Sequence, residues 1–273
     1  MWSWYLAGRP ACQLLYARSP RLAHHCSSRS RRISGLVAAR GAGLRPLPGA
    51  TDRDGLRPDL LPDAFARTGA RLLCAQPTYA NPTSAVLHPD LRATVLDVVA
   101  TAGAFVLEDD WARHLGIDGP APPPLFRDDT DGHVVYLTSL TKPAAPSVRV
   151  GALIARGRAA ARLAATRLVE DLFVSRPLQE ATVDLLGSPA WPRHLTTLRR
   201  ALGEWRDTLV AALARELPQL ELEQVPGGGL HLWLRLPAGL DDVELADRVR
   251  RDGVLIEPGR PYFVAEPPPR ISA

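Results

Sequence analysis

One lysine stands out among the residues whose side chains could do chemistry. The chain has 273 residues with 33 lysines and arginines together, and Lys142 is its only lysine. An amine condenses with an aldehyde to give a Schiff base, whereas a guanidinium stays protonated and does not. Lys142 ends the run YLTSLTK at positions 136–142, which joins a strand-like stretch to a hydroxyl-rich turn. This placement of the single amine indicates a chemical requirement rather than a solvated surface lysine.

Four polar clusters fall where strand-like runs end or begin. They are Asn81, Asp109 with Asp110, Ser139 with Lys142, and Arg149. In parallel α/β sheets, ligands bind at the carboxyl ends of the strands. An aldehyde cofactor built on a pyridine ring needs a carboxylate for its nitrogen, a donor for its ring oxygen, and hydroxyls with an arginine for a phosphate. The four clusters can meet these needs together.

The elements that would position these clusters alternate between strands and helices, which predicts a largely parallel α/β sheet. We predict strands at 71–75, 104–107, 133–137 and 150–155, and helices at 90–102 and 158–186. A second long helix carries an apolar stripe from Leu195 to Leu213, with Trp205 expected in the core. After Pro218 we expect a smaller α+β unit with strands at 220–224, 230–235 and 254–256, a glycine turn at 227–229 and a helix at 241–251.

The first part of the chain differs in charge from the rest. Residues 1–51 hold eight arginines and no acidic residue, so the remainder has 25 basic and 29 acidic residues. We find no helical or strand period in residues 1–35 and expect a disordered basic leader. It is open to three interpretations: a targeting segment, a nucleic-acid-binding arm, or an accidental extension. We divide the rest into a large domain, 36–190, and a linking helix with a small domain, 191–273.

Composition excludes several other classes of protein. No apolar run reaches the roughly 18 residues that a membrane helix needs, so we expect no membrane partner. The cysteines, Cys12, Cys26 and Cys74, are odd in number and widely spaced, which is typical of a reducing cytoplasm. His24 and His25 beside Cys26 do not complete a tetrahedral ligand set, so we expect no metal site.

The motifs together resemble a known family. Asn81-Pro-Thr, Glu108-Asp-Asp, Ser139-Leu-Thr-Lys and the run PSVRVG at 146–151 are similar, in order and spacing, to those of class I/II aminotransferases, the fold-type I pyridoxal-phosphate (PLP) enzymes. The resemblance is strongest to the aminotransferase-like domain of MocR-type regulators of the GntR family, and it covers residues 40–273. It implies an α/β, mostly parallel and partial PLP-binding large domain, plus a small α+β C-terminal domain.

The resemblance implies roles around the cofactor ring. Lys142 would form the Schiff base with PLP and move the α-proton of the substrate. Asp109, rather than Asp110, would pair with the pyridinium nitrogen, and Asn81 would bond the ring oxygen. Trp111 stands where the family has a tyrosine that contacts the same oxygen; an indole N–H can donate a hydrogen bond but cannot ionise.

It also implies roles at the two ends of the ligand. Ser139 and Arg149 would bind the phosphate, with Thr141 as a helper. Arg270 would bind the carboxylate of the substrate, a role that suits its planar fork of donors. Fold-type I sites form between two subunits, so the resemblance implies a homodimer.

Three functions fit these residues. The first is amino-group transfer between an amino acid and a 2-oxo acid through the Lys142 Schiff base. The second is a non-catalytic domain of a MocR/GntR-type regulator that senses PLP and an amino acid effector, and the third is an inactive fragment. We see no DNA-binding domain, and the family's early phosphate-binding turn and ring-stacking aromatic are missing before Arg40. We therefore expect a piece of a longer product, truncated at both ends.

A fourth function is excluded by composition. Ser139-Leu-Thr-Lys142 also matches the S-x-x-K string of serine acyl-transferases, but those enzymes need a second lysine, and this chain has none.

Overall fold

A computed structural model gives the three-dimensional structure of the chain. It describes residues 3–6, 14–18, 43–170 and 175–263, with side chains from 43 to 168 and from 175 to 263. Arg270 and the His24–Cys26 cluster lie outside the described residues.

The described residues form strands and helices in alternation over the large domain. The strands are β1 (Ser3–Leu6), β2 (Leu14–Arg18), β3 (Leu44–Pro48), β4 (Thr51–Asp52), β5 (Gly55–Leu56), β6 (Leu72–Ala75), β7 (Phe105–Asp109), β8 (Val134–Ser139), β9 (Gly151–Ile154), β10 (Glu221–Leu222), β11 (His231–Arg235) and β12 (Glu257–Pro258). The α-helices are α1 (Leu61–Thr68), α2 (Arg92–Thr101), α3 (Leu125–Asp128), α4 (Gly157–Glu170), α5 (Arg176–Gly187), α6 (Ala190–Glu216) and α7 (Asp242–Arg251).

Two sheets organise these elements. The larger has the order β3-β2-β6-β7-β8-β9, in which β6, β7 and β8 are parallel and the other pairs are antiparallel. The smaller has the order β10-β11-β1-β12, with β1 parallel to both of its neighbours. The α/β fold class is thus confirmed, with a mixed large sheet around a parallel centre. A third pair, β4 and β5, forms a short hairpin.

The core that holds the parallel strands lies under α1 and α2. Val95 and Val99 sit one helical turn apart on α2 and are fully buried, and they belong to the same cluster as Leu73 of β6, Val106 of β7 and Val134 of β8. After α2 the chain turns at Gly103, whose φ of +58° suits a residue without a Cβ. This packing fixes the strands whose carboxyl ends carry the polar clusters.

Most elements of the large domain agree with the sequence predictions, but the predicted helix at 158–186 is two helices. α4 and α5 are separate, since Ser175, the residue before α5, has a non-helical ψ of 109°. Pro177 lies in the first turn of α5. A proline is tolerated in the first turn of a helix, but in a helix interior it lacks the N–H for the i−4 carbonyl and clashes with that carbonyl, so it favours the start of a new helix here.

Three other predictions differ from the structure. The strand expected at 254–256 is wrong, because Val254 and Leu255 are exposed and the short strand is β12. Trp205 is not in the core, since it is 51% exposed. Within residues 1–35, where we found no strand period, β1 and β2 form by backbone pairing with β11, β12, β3 and β6. Edge and central strands as short as these are set by their partners, which one sequence does not reveal.

From the sequence we expected no membrane partner, because no apolar run is long enough for a membrane helix. Within the described ranges, no helix combines the length and the apolar character that crossing a membrane requires.

Candidate active site

The carboxyl ends of the three parallel strands form one edge of the large sheet. Ala75 of β6 pairs with Glu108 of β7, and Asp109 pairs with Leu137 of β8. The residues that follow these positions therefore emerge side by side. They include Asn81 after β6, Asp109 at the end of β7, and Lys142 after β8.

Asp109 and Asn81 are joined through Gln76. The side-chain amide of Gln76 donates from Nε2 to Oδ2 of Asp109 at 2.8 Å, and its Oε1 accepts from the backbone N–H of Asn81 at 2.9 Å. Burial raises the pKa of the Asp109 carboxyl above its ordinary value, while the hydrogen bond from Gln76 lowers it. Sequence reasoning missed Gln76, although its place directly after β6 follows the strand-end rule that drew attention to Asn81.

Asp110 has a different environment from Asp109. It is fully buried and accepts hydrogen bonds from the Tyr136 hydroxyl at 3.0 Å and from Nε of Arg113 at 2.5 Å. Both bonds go to Oδ2, and the charge of Asp110 is paired with Arg113 inside the fold. Asp109 instead accepts from neutral groups, the Gln76 amide and the Trp111 N–H, which favours Asp109 as the carboxylate that pairs with a cationic group of a ligand.

Hydroxyl groups and an arginine gather just beyond β8. Ser139 Oγ donates to Thr141 Oγ1 at 3.0 Å and accepts from the Thr141 N–H at 3.2 Å. Antiparallel pairing of Ser139 with Gly151 brings the start of β9 alongside, so Arg149 lies opposite the Thr141 turn. Arg149 is exposed and has a φ of +51°. Two hydroxyls, an N–H and a guanidinium are the donors that a phosphate attracts.

Lys142 is exposed, and its positive charge lies close enough to β11 to lower the pKa of a buried histidine. The pKa of His231 falls to about 3, chiefly because of burial and secondly because of the positive charge of Lys142. The His231 ring also lies 5.4 Å from that of Trp111, centroid to centroid, at a tilt of 56°. Sequence reasoning missed His231, which reaches this edge from the smaller sheet.

Among the residues that the structure describes, the buried polar atoms at this edge without a hydrogen-bond partner include Oδ1 of Asn81, Oδ1 of Asp110 and Nε1 of Trp111. An unsatisfied buried polar atom costs roughly 1–3 kcal/mol, so a ligand that offers a donor to Asn81 Oδ1 and an acceptor to Trp111 Nε1 would stabilise the site. The donor set fits PLP: an amine for an aldehyde, a carboxylate for a ring nitrogen, and hydroxyls with a guanidinium for a phosphate. The residues present therefore fit the cofactor that the resemblance implied.

Seven of the eight predicted site residues lie next to strands of the larger sheet. They follow or end β6, β7 or β8, or precede β9: Asn81, Asp109, Trp111, Ser139, Thr141, Lys142 and Arg149. The eighth, Arg270, lies outside the described residues. Gly227 to Gly229 do not form a phosphate loop; Gly228 packs against the Tyr79 ring, and Gly227 O accepts from the N–H groups of Ile117 and Asp118. The roles of the eight residues stay predictions.

Comparison with known proteins gives consistent matches. Residues 58–273 match the family model described as aminotransferase class I and II. The 2-aminoadipate transaminase of Thermus thermophilus is 30% identical over 234 residues, which cover 85% of this chain and 59% of that protein. The HTH-type transcriptional regulator YisV of Bacillus subtilis is 28% identical over 222 residues, covering 81% and 46%. The chain thus spans about half the length of the curated relatives it matches.

Solved structures agree on the fold. LysN, the α-aminoadipate aminotransferase of Thermus thermophilus, in complex with N-(5'-phosphopyridoxyl)-L-leucine, has a TM-score of 0.79 and 26% identity, covering 97% of this chain and 63% of that one. An archaeal alanine:glyoxylate aminotransferase has a TM-score of 0.80 and 22% identity, covering 97% and 62%. Both similarities extend over nearly the whole chain.

Proposed function

Because the chain belongs to the class I and II aminotransferase family, we propose that it binds PLP at the carboxyl edge of β6–β8 and transfers an amino group between an amino acid and a 2-oxo acid. PLP is the cofactor of this family and fold, as the sequence resemblance implied. The proposal is carried by one observation: the only amine side chain of the sequence follows a strand at the same edge as the Asp109 carboxylate and the buried atoms Asn81 Oδ1 and Trp111 Nε1, which have no hydrogen-bond partner among the described residues.

When bound, PLP supplies an aldehyde that condenses with an amine and a ring that accepts the electrons left by a departing proton. Lys142 provides that amine and afterwards accepts and returns the proton at Nζ. Asp109 would supply the negative charge that pairs with the ring nitrogen, and Gln76 would keep its carboxylate in place. Ser139, Thr141 and Arg149 would bind the phosphate, and Arg270 would bind the substrate carboxylate.

The first experiment tests PLP binding through the single lysine. The purified chain, given PLP, is expected to show a visible absorbance band and, after borohydride reduction, a pyridoxyl adduct on the peptide that contains Lys142. Lys142→Ala removes both. In the control, Lys142→Ala combined with Arg158→Lys puts an amine on the exposed surface of α4 and is expected not to restore the band. A band that persists in Lys142→Ala would overturn the proposal.

A specific observation also favours a second function, the sensing of PLP and an effector by a regulator domain. Several relatives are HTH-type transcriptional regulators of which the matched segment covers about half, such as NorG of Staphylococcus aureus, 26% identical over 215 residues. Turnover separates the two functions. An enzyme given 2-aminoadipate and 2-oxoglutarate releases a new 2-oxo acid, whereas a sensor binds the amino acid and changes the absorbance without net release.

The proposal also includes partners and a cellular location. The partners are a substrate or effector of the amino acid or 2-oxo acid class and a second copy of the chain, and the location is the cytoplasm. The odd, scattered cysteines support the cytoplasmic location, and the family resemblance supports the dimer.

A further inference from the structure

His231 connects the smaller sheet to the candidate site. It begins β11, which lies inside the smaller sheet between β10 and β1. The imidazole-bearing residue is only 7% exposed, and the next residue, Leu232, is 1% exposed. Successive side chains of a strand point to opposite faces of the sheet, so His231 and Leu232 occupy different environments on one buried strand.

The main chain of His231 is tied to the turn that carries Asn81. Ser84 Oγ donates to the His231 carbonyl at 3.0 Å, and this hydrogen bond is buried. Ser84 has a φ of +58°, and its N–H donates to the Ala80 carbonyl at 2.6 Å, which closes the turn around Asn81. The position of Asn81 therefore depends on β11.

The side chain of His231 contacts Trp111, a second residue with an unpartnered buried atom. The two rings lie 5.4 Å apart, centroid to centroid, and Trp111 Nε1 has no hydrogen-bond partner among the described residues. Aromatic pairs at this separation contribute about 0.5–1.5 kcal/mol beyond burial. The indole can rotate about its side-chain bonds, so a ring packed against it restricts where its N–H points.

His231 is uncharged, which suits its place close to the Lys142 amine. With its pKa lowered to about 3, first by burial and then by Lys142, the imidazole is neutral at physiological pH. It therefore adds no second positive charge next to Lys142.

We propose that His231 is a positioning residue of the lysine site, whose ring holds Trp111 so that the indole N–H faces the bound cofactor, on a strand that the Ser84 hydrogen bond ties to the Asn81 turn. This inference rests on the proposed function. It adds a residue from the smaller sheet to a site whose other described members lie along the edge of the larger sheet.

The test compares three variants by absorbance titration with PLP. His231→Ala removes the ring and is expected to weaken PLP binding about tenfold and to shift the visible band. His231→Phe keeps an aromatic ring against Trp111 and is expected to restore the affinity and band position towards those of the unmodified chain. Leu232→Ala is the matched control, because it truncates the next buried residue of β11 on the opposite face.

Leu232→Ala is expected to lower the free energy of unfolding without moving the band of the folded fraction. Unmodified affinity and band position in His231→Ala would overturn the inference, as would an equal spectral shift in Leu232→Ala. Absence of a band from the unmodified chain would instead overturn the proposed function, so the two failures are distinguishable.

Discussion

At the end of β7, two adjacent carboxyl groups have different neighbours. Asp110 is fully buried between Tyr136 and Arg113, whereas Asp109 accepts a hydrogen bond from Gln76 at the ligand edge. Removing one partner of a buried ion pair leaves the other charge uncompensated. A ligand-facing carboxylate instead contributes chiefly through the ligand. The two positions should therefore respond differently to the same substitution.

We predict that Asp109→Asn weakens PLP binding at least about tenfold, a loss of roughly 1.4 kcal/mol, with little change in unfolding. Asp110→Asn should instead cost about 3 kcal/mol of unfolding free energy, as expected for a broken buried pair. The measurements are PLP titration by absorbance and urea unfolding of the chain without cofactor. Each variant serves as the control for the other, and equal effects of the two on PLP affinity would contradict the assignment.

Whether a site residue could be predicted from the sequence depends on the sheet to which its strand belongs. Asn81, Asp109 and Lys142 could be predicted because each follows a strand of regular apolar pattern, and parallel strands bring such ends together. Gln76 obeys the same rule. His231 could not be predicted this way, because it comes from a second sheet whose pairing with β1 depends on tertiary contacts. The unpartnered atoms of Asn81 and Trp111 likewise become visible only when burial is known.

At the scale of elements, the short helix α3 depends on one buried carboxylate. Glu108 is fully buried, and its two oxygens accept from the backbone N–H groups of Leu125 at 2.8 Å and Phe126 at 2.9 Å. These N–H groups begin α3 and would otherwise lack partners. Burial raises the pKa of Glu108 to about 7, although the two N–H groups and Arg92 act in the opposite direction. This carboxyl lies directly before Asp109 in the chain.

This pKa predicts a pH dependence of stability. The folded pKa of about 7 lies above the ordinary value of 4.5, so the contribution of Glu108 is full below the unfolded pKa and is lost as the pH rises through about 7. The loss corresponds to roughly 3 kcal/mol at one pKa unit per 1.36 kcal/mol. Urea unfolding between about pH 5 and pH 8 should therefore show a smaller fall in Glu108→Gln than in the unmodified chain.

The matched control for this prediction is Glu180→Gln on α5, since the Glu180 side chain is 63% exposed. It should leave the pH dependence unchanged. The same fall in Glu108→Gln as in the unmodified chain would show that this carboxyl does not titrate in the range.

For the long helix α6, the sequence predicted the helix correctly but not which of its side chains are buried. Its apolar stripe correctly predicted a helix, and Leu202 is buried. Arg206, one turn later, is also buried, because its guanidinium donates to Asp118 Oδ1 at 2.7 Å and to the Pro226 carbonyl at 2.8 Å. Trp205 lies beside this face and is exposed. Hydrophobic periodicity identifies the helix but does not reveal a buried arginine that joins two loops.

At the scale of the whole molecule, burial is uneven. The core under α1 and α2 is dense, whereas all four residues of β9 are exposed and α4 has no buried side chain among residues 157–168. Three successive elements, β9, α4 and α5, carry exposed apolar side chains: Leu153, Ile154, Leu168, Leu178, Val183 and Leu186. Large exposed apolar surface marks an interaction site in soluble proteins. A second copy of the chain is the partner that the proposed function requires.

We predict that the chain self-associates through this apolar set. The unmodified protein should sediment as a dimer at micromolar concentration, and the double substitution Leu168→Glu with Val183→Glu should shift it to monomer, because burying two unpaired carboxylates costs several kcal/mol. Leu240→Glu is the matched control, since Leu240 is also exposed, at 55%, but lies in the loop before α7. A monomeric unmodified chain, or dimers that survive the double substitution, would contradict this interface.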